Sequence, residues 1–344
     1  MKIIINGRFL TQKITGVQRV AIELLKELDK ISDNSEFYLA APKGAVFPEF
    51  KNIKCIYVGK RYGVLWEQTD FCQYIKKEKA VSLNLCNSAP LFGKKIVMVH
   101  DIKFKAHPEF FSKKFRIWYN FLFRNITKKS LRLLTVSEFS KSEILKYYKN
   151  TNCEIEVLYN GWQHYLGGEY DFSLRKELGL SAGGYCFAMS SLEPNKNLKW
   201  IIETAKRNKE ETFIVAGGIN VKIFASEKFD LPDNVKLIGY VKDAQAKDLI
   251  KNCKAFIFPT FYEGFGIPPI EAMAEGVNKV IVSDTPVMHE IYGESVIYVC
   301  PEKYDYSISD LLKKETFGIE RVLNVYSWEK SAKKMKSLLE NIRV

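Results

Sequence analysis

The stretch AFIFPTFYEGFGIPPIEAMAEG, residues 255–276, decides the fold because it joins three different kinds of local structure. Its first six residues form an apolar run that is typical of a strand in a parallel sheet. Two glycines then permit backbone angles that other residues avoid, and two prolines suit the first turn of a helix. The stretch therefore predicts a strand, a loop that carries Glu263, and a helix with Glu271 in its first turn.

Apolar runs of the same kind recur along the chain, and many are separated by stretches with helical periodicity. The predicted strands are KIIIN, EFYLAAP, IKCIYVG, AVSLNLC, KIVMVHD and LLTVS in the first half, and GYCFAMS, TFIVAGG, VKLIGYV, AFIFPT, KVIVSD and SVIYVC in the second. This alternation predicts an α/β fold with two doubly wound, parallel-sheet domains. Ligands of such sheets bind beyond the carboxyl ends of the strands, and with two domains the default site is the cleft between them.

The domain boundary is expected in the glycine-bearing stretch near residues 161–183. We predict a first domain over residues 1–165 and a second over residues 166–325. Residues 326–344 are predicted to form a terminal helix, for which Ser327 is a suitable N-cap.

Composition and missing motifs narrow the class of protein. The sequence shows no secretory signal and no run of membrane-spanning length, and its seven cysteines are scattered, which predicts a cytoplasmic protein with reduced thiols. No zinc-type spacing and no Asp-x-Asp motif for a metal-bound diphosphate are present. The sequence also lacks G-x-G-x-x-G and Walker motifs, so that a dehydrogenase or NTPase has no support.

Positive charge is concentrated in the first half of the chain. Residues 1–165 contain 28 Lys and Arg against 15 Asp and Glu, and residues 94–149 contain 14 against 4, interspersed with aromatic residues. A helix of this composition can rest on an anionic membrane surface. A partly buried helix with a solvated basic face explains it equally well, and no nucleic-acid module is present.

The residues around the predicted helix start suggest a ligand with three parts. A helix start offers free N–H groups and partial positive charge to a phosphate. Glu271 can accept hydrogen bonds from a diol such as ribose, and Glu263 would reach a polar group beyond the phosphates. A nucleotide sugar has this layout, whereas the alternative is an acidic first turn that only caps the helix.

Motifs in consistent order extend this interpretation over nearly the whole chain. YEGFGIPPIEAMAEG resembles the E-x7-E signature of retaining glycosyltransferases of family 4, which have the GT-B fold of two Rossmann-like domains facing across a cleft. TGVQRVAIELL, VMVHDIKFKAHPEFF, LLTVSEFSKSEI and VLYNG resemble the family's segments ahead of the linker. SSLEPNKNLKWIIETA, FIVAGG, VKLIGYVKDAQAKDLIKNCKAFIFPT and IVSDTPVMHEI resemble those of its second domain, and YSWEKSA resembles a terminal helix that packs back on the first domain.

The resemblance implies a role for each candidate residue. Glu271 would bind the ribose, whereas Glu263, His100 and Lys196 would act at the reacting centre, on the donor sugar and on the diphosphate. No metal or other cofactor would be required. The other residues implied in nucleotide-sugar binding are Gly16, Gly218, Val241, Gly264, Phe265, Gly266 and Ile267. The residues implied on the acceptor side are Gln18 and Asp101.

The sequence departs from the family pattern at one point. The family often has an arginine near Ser191 or at the position of Asn195, and neither is present. The second cation for the diphosphate therefore stays open between the helix start, Arg19 and a backbone glycine.

The expected function is a cytoplasmic, metal-independent retaining glycosyltransferase, peripheral on the inner face of the cell membrane. It would transfer a sugar from a nucleotide-diphosphate donor to a hydroxyl of a lipid-linked glycan in surface polysaccharide synthesis. The alternatives are a non-catalytic partner subunit of the same fold and a soluble transferase acting on small sugars.

Overall fold

The computed structural model describes residues 2–33, 37–189, 193–218 and 230–342. The chain divides into two compact units. The first unit comprises Met1–Gly161 together with Ser327–Val344, and the second unit comprises Trp162–Tyr326.

The first unit contains a parallel sheet of seven strands within the described residues. The strands are β1 Ile3–Asn6, β2 Phe37–Ala41, β3 Lys54–Tyr57, β4 Val81–Asn84, β5 Lys95–Val99, β6 Arg132–Thr135 and β7 Ile155–Val157. Their order is β3-β2-β1-β4-β5-β6-β7, so that the connections reverse direction between β1 and β4. This position is the topological switch point, where ligands of open α/β sheets bind.

The second unit repeats this plan with six parallel strands among its described residues. The strands are β8 Cys186–Met189, β9 Phe213–Ala216, β10 Val235–Gly239, β11 Ala255–Phe258, β12 Val280–Ser283 and β13 Ile297–Val299. The order β10-β9-β8-β11-β12-β13 puts the switch point between β8 and β11.

Helices connect the strands in both units. In the first unit they are Gly16–Lys30, Gly63–Trp66, Cys72–Lys77, Lys103–Ala106, Lys113–Lys129, Glu138–Tyr147 and Trp328–Glu340. In the second unit they are Ser173–Glu177, Leu198–Arg207, Asp243–Lys251, Ile267–Ala274, Pro286–Tyr292, Ile308–Lys313 and Ile319–Val325. Among the described residues, none of these helices is both long and apolar enough to cross a membrane.

The predicted α/β fold with two Rossmann-like sheets is confirmed. All twelve apolar runs form strands, and most of these strands are buried on both faces of their sheet. The exceptions are β3 and β10, at the ends of the two sheets, which are partly exposed. The sequence analysis did not predict β7, a three-residue strand at the end of the first sheet.

The position of Glu271 in its helix was predicted wrongly. The helix begins at Ile267, so Glu271 lies in its second turn rather than its first. The reason is Gly266, whose φ of 82° places it in the left-handed region as the N-cap. This backbone conformation is one that glycine adopts more readily than other residues.

The helix after β3 contains an irregular turn. Gly63–Trp66 and Cys72–Lys77 are α-helical, and the five residues between them, Glu67–Phe71, form a π-helical turn. Such turns are rare and occur frequently at functional sites. Trp66 and Phe71 stack in the core with ring centroids 5.1 Å apart, which leaves Glu67 buried beside them.

The terminal helix belongs to the first unit. Trp328–Glu340 begins after Ser327, whose side chain accepts a hydrogen bond from the Lys330 amide, as an N-cap does. It packs against Gly16–Lys30, and Lys336 Nζ donates to the carbonyl of Ile31 at 2.6 Å.

Candidate functional site

Lys196 and Glu263 meet in the second unit although 67 residues separate them. Lys196 ends a short 3-10 helix after β8, and Glu263 lies on the loop after β11. Their side chains form an ion pair with 2.6 Å between Nζ and Oε1, and they are 17% and 15% exposed. Because β8 and β11 are neighbours on either side of the switch point, the pair lies where this fold binds ligands.

The Lys196–Glu263 ion pair makes this part of the second unit suitable for a polar, anionic ligand. An isolated carboxylate beside a diphosphate would repel it, but Lys196 compensates the charge of Glu263. The ammonium has three donors, and the bond to Glu263 uses one of them. The two side chains can therefore stay paired and still bind a phosphate oxygen and a sugar hydroxyl.

A hydrogen bond and an aromatic contact, both buried, hold the loop between Glu263 and the helix Ile267–Ala274 in place. The hydroxyl of the buried Tyr292 donates a hydrogen bond to the carbonyl of Gly266. Phe265 is 2% exposed and packs edge-on against Tyr326 with ring centroids 5.3 Å apart. Gly264 is also buried, whereas Ile267 is half-buried at the first position of the helix.

Glu271 pairs with a histidine, His164, that the sequence analysis did not select. His164 Nε2 lies 2.8 Å from Glu271 Oε1, and the two side chains are only 5% and 9% exposed. His164 belongs to the 3-10 helix Gln163–Tyr165 at the beginning of the second unit. Because it follows no strand, the rule that selected the other candidates did not select it.

The remaining donor-side candidates lie at neighbouring strand ends. Gly218 directly follows β9 and its neighbour Gly217, whose amide donates to the Gly239 carbonyl at 2.7 Å. Val241 follows β10 and is 7% exposed. The contacts of Gly218 and Val241 with a nucleotide sugar stay predictions.

One of the two positions where an arginine was expected lies among the described residues. Asn195, where the family often has an arginine, is 2% exposed, and its carbonyl accepts a hydrogen bond from the Phe261 amide at 2.9 Å. It therefore ties the Lys196 segment to the loop after β11. Ser191 lies outside the described residues.

Asn197 is a second residue that the sequence analysis missed. Its φ of 57° is left-handed, and its side chain accepts a hydrogen bond from the Trp200 amide at 3.3 Å as the N-cap of the next helix. Its Nδ2 donates to the carbonyls of Pro259 and Pro301, both at 2.9 Å. Asn197 thereby fixes Lys196 relative to the loop that carries Glu263.

His100 is held in one orientation in the first unit. It follows β5 and is 5% exposed, its Nε2 donates to the Leu85 carbonyl at 2.7 Å, and its amide donates to Asn87 Oδ1 at 2.7 Å. Burial lowers the pKa of His100, so the ring is neutral at pH 7. Its Nδ1 is consequently an acceptor, which suits a contact with a sugar hydroxyl.

The other first-unit candidates have local structural roles. Asp101 Oδ1 accepts from the Lys103 amide at 2.9 Å and so shapes the loop after β5. Gly16 is the exposed first residue of its helix, and a Cβ there would have no atom within 4 Å. Gln18 Oε1 accepts from the Thr15 amide at 3.1 Å and caps the same helix.

The described residues bring together no cluster of three or more His, Cys, Asp or Glu side chains that could hold a metal ion.

A family model matches the part of the chain that contains the ion pair. Residues 174–317 match the family described as Glycosyl transferases group 1, and this stretch includes Lys196, Glu263 and Glu271. Solved structures match the fold. The Anabaena protein Alr3699/HepE in complex with UDP and glucose superposes with a TM-score of 0.74 at 17% identity, over 99% of each chain. The fold is therefore GT-B, two Rossmann-like units with parallel sheets.

The names of two curated relatives specify both a sugar and a polysaccharide. The O-antigen chain mannosyltransferase RfbU of Salmonella typhimurium is 32% identical over 221 residues, which cover 63% of this chain and 59% of that protein. The O-antigen chain mannosyltransferase B of Escherichia coli is 26% identical over 237 residues, covering 63% and 60%. The chain thus spans about three fifths of the length of these relatives. The comparisons support glycosyltransferase as the enzyme class.

Proposed function

We propose that the protein is a retaining glycosyltransferase that transfers a sugar from a nucleotide-diphosphate sugar to a hydroxyl of a growing glycan. The observation that carries the proposal is the Lys196–Glu263 ion pair at the switch point of the second sheet, beside the helix that carries Glu271. The family match covers this site, and the names of two relatives favour mannose as the transferred sugar.

In this proposal Lys196 stabilises the leaving group. The bond from the sugar's anomeric carbon to the diphosphate oxygen breaks with its electron pair, so negative charge grows on the phosphate. A fixed ammonium therefore stabilises the transition state more than the ground state. The Ile267 amide and the helix dipole at the start of Ile267–Ala274 would favour the same negative charge, while Pro268 and Pro269 contribute no N–H group.

The two glutamates orient the donor on either side of the diphosphate. Glu263 accepts hydrogen bonds from the sugar hydroxyls, and Glu271 accepts from the ribose diol through the oxygen that His164 leaves open. The acceptor hydroxyl attacks the anomeric carbon from the face that the phosphate leaves, and its proton passes to the leaving phosphate. No side chain is needed as a general base.

Nucleotide-sugar screening tests the proposal directly. The purified full chain is mixed with GDP-mannose, UDP-glucose and the free nucleotides, and both thermal stability and sugar release are measured. We expect one donor to raise the melting temperature and to be hydrolysed slowly, and Glu263→Ala to abolish the hydrolysis. If no nucleotide sugar stabilises the protein, the proposal is wrong.

We propose further that the acceptor is lipid-linked and that the protein binds the cytoplasmic face of the membrane peripherally. The helix Lys113–Lys129 exposes Ile117 and Phe121, which are 73% and 54% accessible. Lys114, Arg124 and Lys128 are also exposed, and together with Ile117 and Phe121 they lie three or four residues apart along one face of the helix. Apolar and cationic side chains on one face are the pattern of a helix that lies on an anionic membrane.

Vesicle sedimentation tests this part separately. We expect the protein to bind vesicles containing anionic lipids, more weakly at high salt, and Ile117→Glu with Phe121→Glu to prevent binding. Lys333→Glu, on the exposed face of the terminal helix, is the charge-change control. If the protein does not bind anionic vesicles at low salt, it acts on a soluble acceptor instead.

A further inference from the structure

The switch point of the first sheet contains a second buried polar cluster, which none of the roles above uses. Asn6 ends β1 and Asn84 ends β4, and their side chains are bonded with 3.0 Å from Nδ2 to Oδ1. Asn6 Nδ2 also donates to Glu67 Oε1 at 2.7 Å. The π-helical turn therefore places a carboxylate against the carboxyl ends of the two strands where a ligand is expected.

An arginine completes the cluster. Arg8 Nε lies 3.5 Å from Glu67 Oε1, and Arg8 Nη2 donates to Ser88 Oγ at 2.8 Å. Ser88 Oγ in turn donates to Glu67 Oε1 at 2.8 Å. Glu67 is 1% and Arg8 is 9% exposed. Apolar residues often stabilise a core better than a buried ion pair does, so packing alone does not explain this one.

The cluster has an opening and an unused donor. A cavity of about 10 Å³, room for about one water molecule, is lined by Arg8, Glu67, Ser88 and Cys86. The hydrogen bonds among the described residues leave Arg8 Nη1 without an acceptor. Burial raises the pKa of Cys86 to about 12, so this wall of the cavity is a neutral thiol.

The charge and size of the cavity define the chemistry of its ligand. Arg8 and Glu67 compensate each other, so the pocket offers no net charge to a phosphate or carboxylate, and Glu67 would repel one. A hydroxyl group fits, because it can accept from the guanidinium and donate to the carboxylate. The volume admits one such group.

We propose that the Arg8–Glu67 pocket binds one hydroxyl group of a neutral sugar, with Arg8 Nη1 donating a hydrogen bond to its oxygen and Glu67 accepting a hydrogen bond from its O–H group. The pocket adjoins His100, since the Leu85 carbonyl that accepts from His100 Nε2 belongs to another residue lining the cavity. Resting on the proposed function, the sugar is the acceptor, and the pocket fixes its position by a hydroxyl that does not react.

Saturation-transfer NMR on the full chain, with methyl α-D-mannopyranoside as the probe, tests the proposal. The Glu263→Ala background removes the contribution of the predicted donor-sugar site in the second unit. In this background we expect the probe to bind and Arg8→Gln to weaken its binding about 10- to 100-fold, the effect of losing one or more charged hydrogen bonds. Arg132→Gln is the matched control, because Arg132 pairs with Glu154 at the amino end of β6, the opposite edge of the same sheet.

The possible outcomes separate this proposal from the proposed function. Equal probe signals for Arg8→Gln and Arg132→Gln, or no signal in either, overturn the pocket. Stronger Arg8-dependent binding of inorganic phosphate than of the glycoside also overturns it. Thermal stabilisation by GDP or UDP, measured on the same proteins, tests the donor site alone. If Arg8→Gln does not fold, Ser88→Ala takes its place, because it releases the guanidinium without burying a new polar group, and at least threefold weaker binding is expected.

Discussion

Each of the two switch points contains an ion pair, and the two pairs differ in how deeply they are buried. Each joins a basic residue that follows the unit's first strand to a glutamate from a later segment. In the second unit Lys196 and Glu263 are 2.6 Å apart and about one sixth exposed, whereas in the first unit Arg8 and Glu67 are 3.5 Å apart and almost fully buried. A partly open pair can bind a large anionic ligand, and a buried pair beside a one-water cavity can bind only a small neutral group. In our two proposals the depth of the ion pair, rather than its charge, distinguishes the donor site from the sugar-hydroxyl pocket.

Removing the cation of the open pair is expected to have the largest effect. In Lys196→Gln we expect the transfer rate to fall about 10²- to 10³-fold, the usual loss when one electrostatic group at a leaving oxygen is removed. Lys199→Gln is the control, because Lys199 is exposed three residues further along. Steady-state kinetics with the donor found by screening measures both. A similar rate in the two variants would remove Lys196 from the reacting centre.

The next largest effect concerns the asparagines that hold the two sites in place. Asn197 and Asn87 both have left-handed backbones, with φ of 57° and 53°. Asn197→Ala removes the donor to two buried carbonyls and the N-cap acceptor, so we expect a loss of about 2–4 kcal/mol in the free energy of unfolding.

Asn87→Ala is the matched variant in the first unit. Asn87 is half-buried and accepts from the His100 amide, so we expect a smaller loss, about 1–2 kcal/mol. Urea unfolding of the two variants compares them. If Asn87→Ala is the more destabilised protein, the first site depends on its scaffold more than the second does.

The fold could be predicted because each strand is an almost continuous apolar run. The exception is β7, whose three residues include the half-exposed Glu156 and form a pattern too short to recognise. The helix start at Ile267 was missed because it depends on the left-handed conformation of Gly266, which the two prolines after it do not reveal.

The candidate site was predictable only where the strand-end rule applied. Lys196 and Glu263 both follow strands, and the sequence analysis selected both, although the contact between them is tertiary. Arg8 also follows a strand, but its partner Glu67 lies in a π-helical turn, for which the sequence carries no recognisable signal. His164 was missed because a long-range contact alone gives it its role.

The His164–Glu271 pair is more deeply buried than the Lys196–Glu263 pair of the same unit. It tests whether nucleotide binding depends on this buried contact as well. His164→Ala should weaken nucleotide binding about tenfold, because Glu271 loses the hydrogen bond that orients its carboxylate. Glu271→Gln should weaken it to a similar degree, and the double variant no further, since both act through one contact. Isothermal titration calorimetry measures the cycle.

His289→Ala is the control for this cycle. His289 pairs with Asp284 at 2.6 Å, but both side chains are more than half exposed. We expect unchanged nucleotide affinity in this variant. Additive effects of His164→Ala and Glu271→Gln would contradict a shared role.

The smallest expected effect distinguishes the two acids of the π-helical turn. Asp70 accepts from the Arg61 and Lys60 amides and pairs with the Arg61 side chain, and the bond from the Arg61 amide is the main cause that lowers its pKa from 3.8 to about 2. Because the folded pKa is depressed, Asp70 stabilises the protein above pH 4 and loses this contribution as the pH falls from about 4 towards 2.

In Asp70→Asn the stability should therefore change less between pH 5 and pH 3 than in the wild type, as measured by urea unfolding at each pH. Probe binding at the Arg8–Glu67 pocket should stay unchanged at pH 7, because Asp70 faces the loop at residues 59–61 rather than the cavity. If Asp70→Asn also weakened binding of the glycoside, the turn would act as one unit. The separation between a structural acid and a ligand-binding acid in the first unit would then be wrong.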